Sequence, residues 1–582
     1  MKYSELVDVY EAIEQTTKRL EMTDHLVRLF KKTPPDVLDK VIYLTQGKLY
    51  PDFVGVELGV GEKVALKAIS IATGHPEDEI KKMWIETGDL GTAGERALQT
   101  KKQQSLFTHP LTVEGVYSGL EKIARATGDK SVEMKIKILA SLLHDATPRE
   151  ARYILRTVNG KLRLGVADMT IIDALSITFA TKEERPEIEG AYNRCSDLGK
   201  VAVALAKEGL EGVKKIRLQL GIPLRAMLAE RVKSLEEIFE KMGGECALEY
   251  KYDGLRIQAH MGKNVTALYS RHLENLTDQF PDVVENLQAA IGDHEVIVEG
   301  ECVPITPEGD MLPFQEISHR RGRKYDVRKV AEEIPVAFFA FDCLYVDGEE
   351  FLDRPFPERR KKLEEIVQAT DRVKPSTMIV TGDIKKAEAF FEESIAAGCE
   401  GIMAKSIGPD STYKAGARGW QWIKYKRDYK AEMTDTVDLV VVGAFAGKGR
   451  RRGTYGALLM AAYNPEMDRF ETVCKLGTGF DDETLFSLKE RFTVIDHRHP
   501  RVYSEMEADY WFVPEVVMEV SGAEITLSPI HTCARGEIRE GSGLAIRFPR
   551  FTGRWRTDKG PEDATTTQEI VEMYRKQLKK VE

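Results

Sequence analysis

The stretch that decides the fold is "EYKYDGLR", residues 249–256. A lysine stands two residues ahead of an Asp-Gly pair, in a run where apolar and aromatic residues alternate with charged ones. Residues two apart in a strand share a face. Leu248, Tyr250 and Tyr252 therefore fall on one side, and Glu249 and Lys251 on the other. Asp253-Gly254, between two alternating runs, predicts a hairpin turn. Alone, the octapeptide describes either a solvated lysine beside a turn or an amine held in a pocket for chemistry.

Neighbouring segments bear on that choice. "VIVEGECV" places Glu299 and Glu301 on one strand face, where they repel unless a metal or sugar hydroxyls lie between them. "WQWIKYKRDY" puts Trp422, Lys424 and Lys426 together, and paired lysines are either solvated or aimed at an anion such as a polyphosphate. "FFAFDCLYVDG" aligns Phe339, Phe341, Cys343 and Tyr345. These read as core aromatics, Phe339 above all, and one exposed ring can stack on a base. "CEGIMAKS" adds the carboxylate of Glu400 and the amine of Lys405. Each segment has an ordinary structural explanation. Together they offer a lysine nucleophile, phosphate-directed lysines, metal-directed carboxylates and a stacking ring, which is the equipment of nucleotidyl transfer.

At 582 residues the chain is too long for one core and should divide into several domains. No run of 18 apolar residues predicts a membrane span. Glu5, Asp8 and Glu11 stand where a signal peptide needs an apolar stretch, so a cytoplasmic location is expected. The seven cysteines lie singly, without a C-x-x-C pair, and suggest neither a disulfide framework nor a four-cysteine zinc site. The net charge of −10 argues against a non-specific polyanion binder but leaves room for a locally basic face.

The first part of the chain reads as helices. Leu6, Val9, Tyr10 and Ile13 share a helical face. Thr23-Asp24 is expected to cap a second helix, which Pro34-Pro35 stops. Residues 133–158 predict two helices broken at Ala146-Thr147-Pro148. From Ala247 to about Lys426 alternation dominates, interrupted by helices such as Glu358–Gln368. "DTVDLVVVGAFAG", "ALLMAAY" and "PEVVMEVS" then predict the short strands of a small barrel. Thr566 and Glu569 match a capping box for a final helix.

The ordered set resembles the covalent nucleotidyltransferases, and among them the archaeal and eukaryotic replicative type of ATP-dependent DNA ligase. The K-x-D-G motif is Lys251 to Gly254. "SRHLENLT" from Ser270, "VEGE" from Val298, "FAFDCLYVDG" from Phe339, "EGIMAKS" from Glu400 and "WIKYK" from Trp422 follow in family order, with "RFPRFTGRWRTDKGPEDATT" from Arg547 near the end. The resemblance implies a multidomain α+β fold: an all-α DNA-binding domain (1–221), an α+β adenylation domain (222–428), and an OB-fold β-barrel with a terminal helix (429–582). It implies sealing of nicked duplex DNA in replication, repair and recombination, with ATP as co-substrate and Mg2+ as metal. Lys251 would carry AMP. Glu249 would help hold adenine with Phe341 stacked on it, and Arg256 and Glu301 would lie near the ribose. Arg271, Arg418, Lys424 and Lys426 would contact phosphates, and Glu301 and Glu400 would organise Mg2+. Arg556 to Lys559 looks like the last family motif, which orients pyrophosphate.

On the DNA side, "NGKLRLGVAD" resembles a segment that contacts the minor-groove backbone, which nominates Lys161 and Arg163. The basic runs His319–Lys329 and "GKGRRRG", with Lys448, Arg450 and Arg451, lie beside strands and could meet phosphates. "QQSLF", Gln103 to Phe107, could dock a sliding clamp. A monomer is expected. Three rivals are weighed. An RNA-directed enzyme of the superfamily usually lacks a helical domain of this size. A degenerate scaffold would show motif decay. An NAD-dependent ligase would carry a four-cysteine zinc cluster.

Overall fold

Apolar residues at helical spacing, closed by caps, build the N-terminal part. The helix Tyr3–Glu14 buries Tyr3, Leu6, Tyr10 and Ile13. Thr147 caps the helix Pro148–Val158, and Glu150 reciprocates in a capping box. The second helix departs from expectation. It spans Arg19–Lys32, and Thr23 lies one turn inside it with its hydroxyl bonded to the Arg19 carbonyl at 2.9 Å. A threonine satisfied by the preceding turn looks in sequence like a cap. Helices continue to Leu198–Lys214 around one core.

The computed structural model describes the whole chain except residues 59, 102–108, 129, 233, 307, 313, 319, 321–325, 427–435, 448–453 and 580–582. It divides into two compact units, Met1–Tyr425 and Lys426–Glu582. Beyond the helices, the first unit holds β1 (Leu228–Arg231), β2 (Cys246–Lys251), β3 (Leu255–Met261), β4 (Thr266–Ser270), β5 (Val296–Pro304), β6 (Val336–Val346), β7 (Glu349–Glu350), β8 (Val373–Pro375), β9 (Met378–Thr381), β10 (Gly401–Lys405) and β11 (Arg418–Lys426). Two sheets form, one in the order β1-β11-β10-β2-β9 and the other β4-β3-β5-β6-β7, with β8 on β6.

The predicted hairpin at Asp253-Gly254 does not form. β2 pairs with β10 and β9, whereas β3 pairs with β4 and β5, so the Asp-Gly step carries the chain from one sheet to the other.

The second unit is β-rich. It contains β12 (Val437–Ala446), β13 (Tyr455–Asn464), β14 (Arg469–Leu476), β15 (Val494–Ile495), β16 (Val502–Tyr503), β17 (Tyr510–Phe512), β18 (Val517–Ser521), β19 (Glu524–Ser528), β20 (Gly543–Arg547) and β21 (Arg550–Trp555). The sheet runs β15-β17-β12-β13-β14-β16, with β18 joining β12 to β21, and β19 and β20 pair separately. The terminal helix Thr567–Lys579 starts at the predicted box, where the Thr566 hydroxyl and amide both bond Glu569, and it buries Ile570 and Val571. All seven cysteines are buried and unpaired. Among the described residues no helix is long and apolar enough to cross a membrane.

Candidate active site

β2 ends at Lys251, and β3 begins in the other sheet at Leu255. Gly254 permits this crossing. A Cβ there would lie 2.5 Å from the Cys302 carbonyl oxygen and 2.9 Å from Glu301 Cγ, so only glycine lets the step pass so close to β5. Lys251 is thereby set near Glu301 of the opposite sheet, while Glu400 approaches it from just before β10 of its own sheet.

Lys251 is half-buried, and its Nζ donates to Glu400 Oε2 at 2.5 Å. The Glu400 amide in turn donates to the Lys251 carbonyl at 2.8 Å, locking the two backbones together just before β10. Burial works to lower the ammonium pKa, but Glu400 and Glu301 outweigh it and the net shift is upward. Carboxylates, not cations, dominate the surroundings of this amine.

Glu301, Glu400 and Asp253 crowd together around this one ammonium. Burial foremost, with Glu400 and Asp253 adding to it, pushes Glu301 up to about 7. Asp253 is raised by burial and by Glu400. Such a cluster fits a hard divalent cation that takes oxygen ligands. Among the described residues no group of three or more His, Cys, Asp or Glu is arranged as a complete metal cage. Mg2+ held by one or two carboxylates and by substrate phosphates needs none.

Arg256 on β3 donates from Nη1 to the Met227 carbonyl at 2.9 Å and from Nη2 to Glu299 Oε2 at 2.7 Å. Glu299, fully buried, also accepts from Gln258 at 3.3 Å. The repulsion expected between Glu299 and Glu301 is thus relieved at Glu299 by a guanidinium of the chain itself.

Phe341 sits on a bulge. Glu299 pairs with Asp342 and the next residue, Gly300, with Ala340, so Phe341 is skipped; Leu344 is skipped in the same way. Strict alternation therefore fails along β6. Cys343 joins Phe338 and Ala340 in one core, whereas Phe341 turns to Trp422, 6.0 Å between ring centroids, and to the Arg256 guanidinium at 5.4 Å. Phe339 stacks on Tyr252 at 4.1 Å. Glu249 is fully buried, held by Arg360 at 3.1 Å and Lys405 at 2.8 Å. Lys405, itself buried, donates to the Phe341 carbonyl at 2.9 Å, and burial pushes its ammonium down. It braces Glu249 and Phe341 and is not a solvent-facing amine.

Arg271, just after β4, and Arg418, at the start of β11, are exposed. Desolvation, together with the charges of Arg256 and Arg418, pushes the Arg271 guanidinium down, so the three arginines form one positive cluster. Lys424 and Lys426 are half-buried on β11. In the second unit Arg556 pairs with Asp438 at 2.6 Å and with Asp558 at 2.7 Å, and Lys559 pairs with Asp438 at 2.7 Å.

Lys161 and Arg163 are exposed on a loop pinned by the buried Leu162 and Leu164. Arg163 has a φ of 63° and donates to the Gly88 carbonyl at 2.8 Å. A cleft of about 1520 Å3 opens nearby, with Asn159 and Gly160 on one wall and His272 and Asn275 on another. Of the run His319–Lys329, residues 319 and 321–325 lie outside the described residues, and Arg320 is buried and pairs with Asp282 at 3.0 Å. Lys448, Arg450, Arg451 and Gln103–Phe107 lie outside the described residues.

Sequence reasoning missed Asp253 as a charge beside Lys251, because it read as a turn residue. It also missed Arg360 and Tyr413, which lie in a helix and a loop without a charge or face pattern to mark them.

Family comparison covers the same regions. The family described as DNA ligase N terminus matches residues 2–176, ATP dependent DNA ligase domain matches 226–426, and ATP dependent DNA ligase C terminal region matches 451–559. DNA ligase 2 of Thermofilum pendens is 56% identical over 591 residues, which is 100% of this chain and 98% of that protein. The DNA ligase of Sulfophobococcus zilligii is 53% identical over 590 residues, covering 99% and 97%. A solved structure described as Pmar-Lig_PreS3 overlays with a TM-score of 0.55 at 16% identity, over 95% of this chain and 99% of that one, and speaks for the fold alone. With all three regions matched in order and relatives above half identity along its length, the chain belongs to the ATP-dependent DNA ligase family, whose members seal nicks in DNA.

Proposed function

We propose that the chain seals nicks through an AMP carried on Lys251. Nζ attacks the α-phosphorus of ATP in line. The N–P bond forms as the bond from the α-phosphorus to the bridging oxygen breaks, and pyrophosphate leaves. The ammonium must first shed a proton, and Glu400 Oε2 at 2.5 Å is within reach to take it. AMP then passes to the 5′-phosphate at the nick. The adjacent 3′-OH displaces it and closes the strand.

The remaining residues position and neutralise charge. Phe341 stacks on adenine, with Glu249 at its edge, and Arg256 and Glu301 face the ribose. Arg271, Arg418, Lys424 and Lys426 meet phosphates. Glu301 and Glu400 hold Mg2+, which when bound supplies charge neutralisation at the phosphates. Arg556 and Lys559 attend the leaving pyrophosphate. Residues 1–221, 222–428 and 429–582 act as DNA-binding, adenylation and OB-fold domains of a monomer. Lys161 and Arg163, with Lys448, Arg450 and Arg451, grip the backbone of nicked duplex, and Gln103–Phe107 offers a sliding clamp its contact.

The observation that carries this reading is Lys251 Nζ set 2.5 Å from Glu400 at the sheet crossing. The test is incubation with α-labelled ATP and Mg2+, followed by a denaturing gel. Label stays on the wild-type protein, is absent from Lys251→Ala, and on chase with nicked duplex is released as AMP while the strands join. Normal sealing by Lys251→Ala would refute the proposal.

A further inference from the structure

The segment between β10 and β11 takes no part in the roles above, yet it sends one side chain into the centre of the site. Tyr413 is fully buried. Its hydroxyl donates to Glu299 Oε2 at 2.8 Å and accepts from Arg256 Nη2 at 3.3 Å and from the Met227 amide at 2.9 Å. One donor and two acceptor positions are then all in use. Arg256 closes the circuit, because its Nη2 reaches the same Glu299 oxygen and its Nη1 reaches the Met227 carbonyl. Arg256, Glu299, Tyr413 and Met227 thus form a ring of hydrogen bonds. The Tyr413 ring meets Trp422 edge-on, 5.8 Å between centroids, so the hydroxyl has little freedom to swing away. In this ring Arg256 Nε is the donor left without an acceptor. A buried donor in that condition calls for a partner from outside the chain.

We propose that Tyr413 is a positioning residue for nucleotide binding, its hydroxyl holding the Arg256 guanidinium in the single orientation that receives ATP. This rests on the reading of Arg256 as a nucleotide contact. Packing alone does not require the hydroxyl, since phenylalanine would fill the same space against Trp422. What phenylalanine loses is the hydroxyl that bridges Arg256 Nη2, Glu299 and the Met227 amide, leaving Arg256 only its bonds to Glu299 and the Met227 carbonyl.

The test uses the full chain in multiple-turnover nick sealing at varied ATP. Tyr413→Phe, which removes the hydroxyl's bonds to Arg256, Glu299 and the Met227 amide, raises the KM for ATP about tenfold and leaves kcat within about twofold. Arg256→Met also raises KM, and in that background Tyr413→Phe adds nothing further, because the residue it positions is gone. Glu299→Gln, which opens the ring elsewhere, shows the same KM rise and the same loss of effect beside Arg256→Met. Additive effects in the double variants, or an unchanged KM in Tyr413→Phe where Arg256→Met raises it, overturn the role of Tyr413. An unchanged KM in Arg256→Met overturns the underlying reading of Arg256.

Discussion

His260 is held neutral by burial. The Gly221 amide donates to Nδ1 at 3.1 Å, so the proton sits on Nε2, which faces Gln258 Oε1 at 2.9 Å. Burial pulls its pKa down to about 3. The unfolded chain takes up a proton near the ordinary value of about 6.5, and the folded chain does not until far lower pH. Stability at this residue is therefore complete above about 6.5, the unfolded value, and declines as pH falls from there toward about 3. The cost at pH 5 relative to pH 8 is about 2 kcal/mol. Urea unfolding at both pH values should show this difference shrinking in His260→Gln, and an equal pH dependence in the two proteins would rule it out. At the same scale, Lys251 was legible from its own neighbours, but its electrostatics were not. Glu400 lies 149 residues away and meets it only through the pairing of β2 with β10. The same holds for Arg360 and Lys405, which no local pattern connects to Glu249.

At the scale of elements, the Asp-Gly step was read for the right residue and the wrong reason. The dipeptide signals a sharp change of direction, and sequence does not say whether the next strand returns to pair. Here the glycine is demanded by the nearby Cys302 carbonyl. Gly254→Ala should push Glu301 aside, cost about 1–3 kcal/mol in overpacking, and slow self-adenylation with ATP far more than it weakens DNA binding. Comparable losses in both assays would show general damage instead. The helix cap at Thr566 was legible because both partners of its box lie three residues apart, whereas Thr147 was read only as part of a helix break. The bulge at Phe341 was not, because a skipped residue depends on register with β5 and leaves the alternation of β6 unmarked.

Across the whole molecule, the order of motifs outweighed any single one. The ordered motifs implied an all-α part, then an α+β part, then a β-rich region with a last helix, and the structure has that succession; that the α+β part is built on two sheets was not foreseen. What motif order could not convey was which loops share an opening. Asn159 and Gly160, just ahead of Lys161, and His272 and Asn275 after β4 line one cleft although more than a hundred residues separate them. If Lys161 and Arg163 both meet phosphate, Lys161→Gln and Arg163→Gln should each reduce the slope of log affinity against log salt by about 0.9 for nicked duplex. Filter binding over a salt series reads this, and parallel lines for wild type and variants would remove them from the interface.

The burial of every native thiol has a practical reach. Each of the seven is shut away from solvent, so a maleimide dye has no ready target on the folded chain. One new cysteine on an exposed position can then be tagged selectively, with the wild-type background left untouched. Fluorescence energy transfer to a dye on the nicked strand would follow this protein onto its substrate in real time.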